Sequence, residues 1–404
     1  KAYAVRCAWL EPGGSPYLAS LRMDQAKTWE EFREACNYSH IPGENMVWAD
    51  TDGNIGWQAV GIAPIRRNFS GLVPVPGDGC YEWDGYLPII DKPHIINPEA
   101  GFFATANQHV IPGSYEYWDA IGFTWSDPFR GDRINEVLGS GEKLIMEDMK
   151  SLQTDYYSIP ARTLVPFLEP LTFESKMVNQ AKEMLLTWDF ILDKNSVPAG
   201  IYVAWENQIR ENARDQFLPD KIRGLLSLQL TKIINWLIQP DKKFGADPEI
   251  GRDIFLQEAF IQAIEKLTDA LGADLENWQY GQENYKHVYI HHPLSDAVSD
   301  MWKEKLNTGP APRGGNSYTP GSTGGNNNQT SGASFRIIVD TGDWDSAIGT
   351  TTPGQSGDPD SPFYSNLFEL WADDQYFPLY FSREKIETAL SKQVSLQPGS
   401  LSPE

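Results

Sequence analysis

The chain is poor in cysteine and lacks long apolar runs, and both shortages limit what it can be. Its 404 residues include only Cys7, Cys36 and Cys80. They form no CxxC pair, and their odd number leaves at least one cysteine unpaired, so a disulfide-based scaffold is excluded. No uninterrupted apolar run reaches the roughly 18 residues of a membrane-spanning helix. A chain of this length can instead bury more than one hydrophobic core.

Positive charge is also scarce. The 33 Lys and Arg residues are outnumbered by 55 Asp and Glu residues, which gives a net charge of −22. That balance repels phosphate backbones and anionic membrane surfaces, so we expect neither nucleic acid nor a membrane as a partner. Aromatic residues are plentiful by contrast, with 14 Trp. Such a content is typical of large buried side chains or apolar clefts.

Common signatures of cofactor and nucleophile sites are missing. The sequence contains neither a Walker loop nor a GxGxxG motif. The segment "PGQSGDP" (353–359) superficially resembles a serine elbow, but Ser356 lacks the GxSxG spacing and no apolar strand leads into it. We interpret Ser356 as part of a turn.

The segment "DTDGN" (50–54) resembles the start of a calcium loop. An EF-hand requires Gly at the sixth position and Glu at the twelfth, where this sequence has Ile55 and Gly61. A tight β-hairpin, with Asp52 and Gly53 in its turn, is the better interpretation.

Half of the six histidines lie in "HVYIHHP" (287–293). On a strand, His287 and His291 would share one face and His292 would lie opposite. Because no Glu or Cys stands at ligand spacing, the pattern favours surface or interface histidines over a zinc site.

The patterns along the chain predict an α+β fold with layered antiparallel sheets and an additional helical subdomain. Residues 1–140 combine strand and helix patterns, residues 141–307 are mainly helical, and strands and helices return in 334–404. Between them, residues 308–333 are rich in Gly, Ser, Asn and Pro. That composition is typical of a loop and leaves open whether it is a disordered linker or an ordered crossing of the surface.

Several elements have specific signals. "KAYAVRCAW" (1–9) has the pattern of a strand, and since it has no initiator Met before it, we expect the chain to be part of a longer precursor. Thr28 and the acidic residues after it predict a helix over 28–39. Residues 45–64 predict a hairpin, and helical periodicity marks 175–192 and 251–272. The prolines of "LVPVPGDG" make a central strand improbable there.

The stretch "GFFATANQHV" (101–110) is the candidate functional segment. An apolar run typical of a buried strand ends in Asn107, Gln108 and His109, whose side chains need hydrogen-bond partners. The Asn107 side chain either forms hydrogen bonds with the main chain of a turn or forms one with a reacting group. Arg133, at the start of a predicted helix, would add a guanidinium, and an amide donor beside a guanidinium could stabilise a developing oxyanion.

Five ordered motifs resemble the penicillin acylase (penicillin amidase) family of N-terminal nucleophile hydrolases. They are "NMVWADTDGNIGWQAVGIAPIR", "LVPVPGDGCYEWDGYLP", "NPEAGFFATANQ", "FRGDRINEVL" and the C-terminal stretch from "GASFRIIVDTGDWDS" to "YFSRE". The resemblance is dense at 1–140 and 332–386 and weak in the helical block.

This resemblance implies an αββα-type fold, incomplete here, and a specific mechanism. In the family, an N-terminal serine generated by self-cleavage attacks a linear amide and forms an acyl-enzyme, with its own α-amino group as the base. By motif, Asn107 matches the oxyanion-hole Asn, and Arg133 matches the arginine that orders the N-terminal nucleophile. No cofactor is required. Some members hold a structural calcium, for which Asp119 is the candidate ligand.

The sequence departs from the family at the nucleophile, because residue 1 is Lys and no Ser, Thr or Cys begins the chain. The resemblance therefore implies the C-terminal portion of a β chain, inactive alone, whose partners are the α chain and the N-terminal part of the β chain. It also implies a small N-acyl substrate and a periplasmic or secreted location. The acyl preference is not readable here. The alternative is a non-catalytic binding or structural module that retains the acylase scaffold.

Overall fold

The computed structural model describes residues 2–398, so Lys1 and residues 399–404, the end of the predicted 334–404 segment, lie outside the described residues. The helices are α1 (Ser20–Met23), α2 (Trp29–Cys36), α3 (Phe129–Leu138), α4 (Met146–Gln153), α5 (Ile159–Leu164), α6 (Lys176–Leu186), α7 (Val197–Phe217), α8 (Asp220–Arg223), α9 (Leu230–Ile238), α10 (Pro248–Leu271), α11 (Asp300–Leu306), α12 (Phe368–Ala372) and α13 (Arg383–Ala389). The strands are β1 (Asn45–Ala49), β2 (Ile55–Ala59), β3 (Ala63–Pro64), β4 (Tyr86–Leu87), β5 (His94–Ile96), β6 (His287–Ile290), β7 (Thr308–Pro312), β8 (Arg336–Asp340), β9 (Asp343–Thr350) and β10 (Phe377–Pro378). No helix among the described residues combines the length and apolar character needed to cross a membrane.

These strands form small antiparallel sheets. Two have three strands, in the orders β1-β2-β5 and β10-β9-β8, and two are the pairs β3-β4 and β6-β7. Together with the helices they confirm the predicted α+β class.

The predicted hairpin at 45–64 is confirmed by β1 and β2. The Asp50 carboxylate accepts hydrogen bonds from the main-chain N–H groups of Asp52 and Asn54. Gly53 supplies the left-handed backbone of the turn, with φ 86°. A carboxylate occupied in this way closes a turn, which is why "DTDGN" forms a hairpin.

The predicted helix over 28–39 is confirmed as α2. The Thr28 hydroxyl accepts a hydrogen bond of 3.2 Å from the Glu31 N–H, as expected of an N-cap. Phe32 and Cys36 are buried on the inner face of α2, which packs on the hairpin. This packing forms the small core of the N-terminal region.

The largest core lies in the helical block and is built around α7 and α10. Their contact includes Trp205 and Phe260, whose rings meet edge to face with centroids 5.6 Å apart. The helix predicted over 251–272 is confirmed as α10, which begins after the Asp247 cap and ends before Gly272. The helix predicted over 175–192 ends earlier, at Leu186, where the C-cap residue Thr187 leaves helical geometry; Phe190 further on has a left-handed backbone with φ 66°.

The Gly-rich segment 308–333 is packed against the rest of the chain. Its first five residues form β7, which the composition did not predict. Lys286 is 1% exposed and its ammonium donates to the carbonyl oxygens of Thr323, Gly324 and Asn326, at 2.9, 3.0 and 2.7 Å. Burial lowers the pKa of Lys286 to about 7. Ordered main-chain contacts of this kind describe a structural loop.

A buried ionic cluster connects three distant parts of the chain. The Asp374 carboxylate accepts hydrogen bonds from Arg313 at 2.9 Å and Arg336 at 2.7 Å, and both side chains are 5% exposed. Its second oxygen accepts from the Tyr156 hydroxyl. The helical block, the 308–333 loop and the C-terminal sheet are thus joined at one carboxylate.

Two predicted strands are absent. Residues 2–7 have no regular structure and Ala8–Leu10 form a single 3₁₀ turn, so the strand predicted over 1–9 is wrong. Val5 is 90% exposed, and no strand pairs with this segment among the described residues. Residues 102–106 also lie outside any strand. Apolar patterning favours an extended chain, but a strand forms only where a neighbouring strand pairs with it.

The buried carboxyl of Glu206 leads to a pH prediction. It is 2% exposed and accepts a hydrogen bond from the Tyr202 hydroxyl at 2.9 Å. Burial raises the pKa of Glu206 from 4.5 to about 7. The folded state therefore holds this proton where the unfolded state has lost it, and the free energy of unfolding falls as pH rises from about 4.5 to 7.

Glu206→Gln should remove this contribution, which is about 3 kcal/mol at pH 8. Urea unfolding of both proteins at pH 5, 6, 7 and 8 measures it. The variant should gain stability relative to the natural protein as pH rises. Two curves with the same pH dependence would contradict the prediction.

Candidate functional site

A cleft of about 660 Å³ lies where the first sheet meets the segments around residues 105–111 and 120–125. Trp57 and Val60 supply apolar surface, and Asn107 and Gln108 supply amides. A cleft of this size that combines apolar surface with polar groups is typical of a site for a small ligand. The candidate segment 101–110 therefore lines the cleft, as a loop rather than a strand end.

The exposed side chain of Asn107 presents its amide NH₂ group at this cleft. Its Oδ1 accepts a hydrogen bond of 2.9 Å from the Arg130 guanidinium, and its main-chain oxygen accepts from the Ser126 N–H, also at 2.9 Å. Its Nδ2 donates no hydrogen bond to any residue among 2–398. Since the guanidinium occupies Oδ1, the NH₂ group is the part of the side chain left to donate.

The structure brings Arg130, and not Arg133, to Asn107. The Arg133 guanidinium donates to Asp155 at 2.7 Å and to Glu136 at 3.0 Å, and it stacks on Tyr157 with its central carbon 4.4 Å from the ring centroid. These contacts join α3 to the helical block. The role of Arg133 in ordering a nucleophile stays a prediction.

Sequence reasoning missed Arg130, although the signal was present. Arg130 and Arg133 are three residues apart on α3, so they lie on neighbouring positions of one helix face. Periodicity alone cannot tell which of them faces Asn107. Burial lowers the pKa of Arg130, but a guanidinium keeps its charge in proteins.

Two cationic side chains, Lys92 and Arg66, line the cleft and donate hydrogen bonds to main-chain carbonyl groups. The Lys92 ammonium donates to Val60 at 2.6 Å and to Gly61 at 3.0 Å, and burial lowers the pKa of Lys92 to about 8. Arg66 donates to the Ile121 carbonyl at 2.8 Å. These bonds fix the walls of the cleft beside Asn107.

Asp119, the candidate calcium ligand, lies beside a guanidinium. Its carboxylate lies 3.8 Å from the Arg67 guanidinium, which also pairs with Asp84. Over residues 2–398, no three His, Cys, Asp or Glu side chains form a group that could hold a metal ion. The role of Asp119 as a calcium ligand stays a prediction.

Ser356 and the three clustered histidines lie away from the cleft lining. The Ser356 hydroxyl accepts a hydrogen bond from the Asp358 N–H, which is a turn contact. His291 lies 3.6 Å from Asp296 and His292 accepts from the Leu294 N–H. The Ser356, His291 and His292 side chains thus contact residues of their own segments.

Comparison with known proteins gives a consistent result. A sequence model described as "Penicillin amidase" matches residues 1–388. The acyl-homoserine lactone acylase QuiP of Pseudomonas fluorescens (strain Pf0-1) is 28% identical over 412 residues, covering 93% of this chain and 48% of that protein. The penicillin acylase 2 proenzyme of Pseudomonas sp. (strain SE83) is 26% identical over 389 residues, covering 94% of this chain and 49% of that protein. The chain spans about half the length of the curated relatives it matches.

A solved structure supports the fold. The thermostable penicillin G acylase from Alcaligenes faecalis aligns with a TM-score of 0.64 and 19% identity, over 97% of this chain and 74% of that chain. The two proteins therefore share a fold, and the α+β class predicted from the patterns along the chain is confirmed.

Proposed function

Because this chain belongs to the penicillin amidase family, we propose that it is part of an amide hydrolase for N-acylated small molecules. The substrates would carry a linear amide of the penicillin type or the N-acyl homoserine lactone type, in keeping with the names of the relatives. The observation that carries this proposal is the unoccupied NH₂ group of Asn107 at the cleft.

In the proposed reaction, a serine hydroxyl attacks the amide carbonyl and its proton passes to a base. The carbonyl oxygen gains negative charge as the carbon becomes tetrahedral, and the Asn107 NH₂ group donates a hydrogen bond to it. Collapse of this intermediate expels the amine with that proton and leaves an ester on the serine. Water then hydrolyses the ester and releases the acid.

The position of Arg130 supports this role for Asn107. A guanidinium on Oδ1 holds the amide in one orientation and polarises it, so the N–H groups become better donors. Preorganised donors of this kind need no reorganisation when charge develops.

We also propose that the nucleophile, an N-terminal serine, lies on a part of the protein beyond these residues, and that this chain alone is inactive. An α chain and an N-terminal β segment would be its partners, after export to the periplasm or the medium. Exposed apolar side chains favour such partners: Tyr3 is 72% exposed, Leu10 81% and Val47 74%. Contiguous exposed apolar patches mark interaction sites in soluble proteins.

The complete protein and residues 1–404 alone should be incubated with N-acyl homoserine lactones of several chain lengths and with penicillins. Release of the free amine is the measurement. We expect release by the complete protein for at least one class and none by residues 1–404 alone. A folded complete protein that is inert toward every amide would refute the hydrolase proposal. Turnover by residues 1–404 alone would refute the external nucleophile.

A further inference from the structure

Asn107 has a left-handed backbone conformation, which directs its side chain differently from an extended residue. Its φ is 66°, in the left-handed region, which costs residues with a Cβ some energy, although asparagine tolerates it better than most. The preceding residues 102–106 belong to no strand, so no sheet imposes it. The contacts that fix this loop therefore come from side chains and not from a neighbouring strand.

The Gln108 side chain makes such contacts from within the loop. It folds back, so that its Oε1 accepts from the Ala106 N–H and its Nε2 donates to the Ala104 carbonyl at 3.2 Å. The one side-chain amide thus pairs with a main-chain carbonyl before residue 105 and a main-chain N–H after it. The main chain leading into Asn107 is fixed without a neighbouring strand.

Gly131, on α3, leaves the space in which the Gln108 amide lies. A Cβ at residue 131 would lie 2.5 Å from both Cδ and Nε2 of Gln108, so only glycine lets the amide lie against the helix there. The adjacent residue, Arg130, is the one that donates to Asn107. The first turn of α3 therefore touches the loop through two consecutive residues.

We propose that Gln108 and Gly131 are positioning residues that set the direction of the Asn107 amide. Gln108 fixes the main chain, and Gly131 provides the space that allows its amide to do so. This inference rests on the proposed function, because a direction matters only if Asn107 donates to a reacting oxygen.

The test uses Gln108→Met and Gly131→Ala in the complete protein, with Gly113→Ala as a matched glycine control, since nothing lies within 4 Å of a Cβ there. Misplacing a reacting group by about 1 Å costs up to roughly 100-fold in rate. We therefore expect each test variant to lower kcat by about 10- to 100-fold with KM little changed, and the control to keep the natural kcat. Gln108→Glu, which keeps the acceptor for Ala106 and loses the donor to Ala104, should be intermediate.

The double variant separates positioning from a general structural role. In a Gln108→Ala background the amide is gone, so Gly131→Ala should cause no further loss of kcat. Independent, additive losses would overturn the proposal, as would natural kcat in both single variants. Thermal unfolding identifies any variant that fails to fold, in which case Gln108→Glu carries the test. Natural kcat in an Asn107→Gly variant would instead refute the proposed function.

Discussion

Replacing Asn107 by glycine in the complete protein is expected to lower kcat by about 10²–10³-fold, which is the usual cost of losing one side-chain donor from an oxyanion hole. Glycine is the informative substitution because Asn107 has φ 66°. Glycine accepts this backbone freely, so the loss reports the missing NH₂ group and not strain. KM should change much less than kcat, since the donor acts on charge that appears only in the transition state.

Asn97 provides a matched control. It too is an asparagine with a positive φ, 45°, and its amide is used within the fold, donating to Asn54 and accepting from the Ile55 N–H. Asn97→Gly should lower the melting temperature and leave kcat unchanged. Hydrolysis rates for both variants, with circular dichroism to verify folding, give the comparison. Equal effects on kcat would show that Asn107 has no special role.

Asp374→Gly is expected to cost about 3–5 kcal/mol in the free energy of unfolding. Glycine is the substitution because Asp374 has a left-handed backbone with φ 55°, where alanine would add strain. The change leaves the guanidinium groups of Arg313 and Arg336 buried without their carboxylate, and it removes the acceptor of the Tyr156 hydroxyl. Breaking one partner of a buried ion pair is costly because the remaining charge stays desolvated. Denaturant unfolding, monitored by tryptophan fluorescence, measures the loss.

The neighbouring Asp373 is the control for this prediction. Its carboxylate pairs with Lys194 at 2.6 Å, but its side chain is 56% exposed. An exposed pair contributes little, so Asp373→Ala should change stability by no more than about 1 kcal/mol. A loss at Asp374 as small as that at Asp373 would mean that the buried cluster does not stabilise the fold.

Local signals predicted the local structure well. The Thr28 cap, the turn at Gly53 and the periodicity of 251–272 each depend on a few adjacent residues, and all three are found. The strand predicted at residues 1–9 and the one ending at Asn107 failed for a common reason. A strand depends on a partner elsewhere in the chain, and apolar patterning does not supply one.

The candidate site was predictable only in part. The motif around Asn107 identified a residue at the cleft. The contacts around it depend on how α3 rotates against the loop, which decides between Arg130 and Arg133. They also depend on Gly131, which matters because it has no side chain to displace the Gln108 amide. The need for a missing side chain produces no recognisable sequence pattern.

The segment 308–333 has the composition of a linker, yet it folds around one cation, the ammonium group of Lys286. Carbonyl oxygens from Thr323, Gly324 and Asn326 converge on the Lys286 ammonium within four consecutive positions. A chain must curl tightly to aim three carbonyls at one point, and Gly324 does so with φ 74°. Bulky apolar residues would prevent that curvature. A shortage of large side chains is typical of disordered chains. Here the same shortage lets the loop bind the Lys286 ammonium through its main-chain carbonyls.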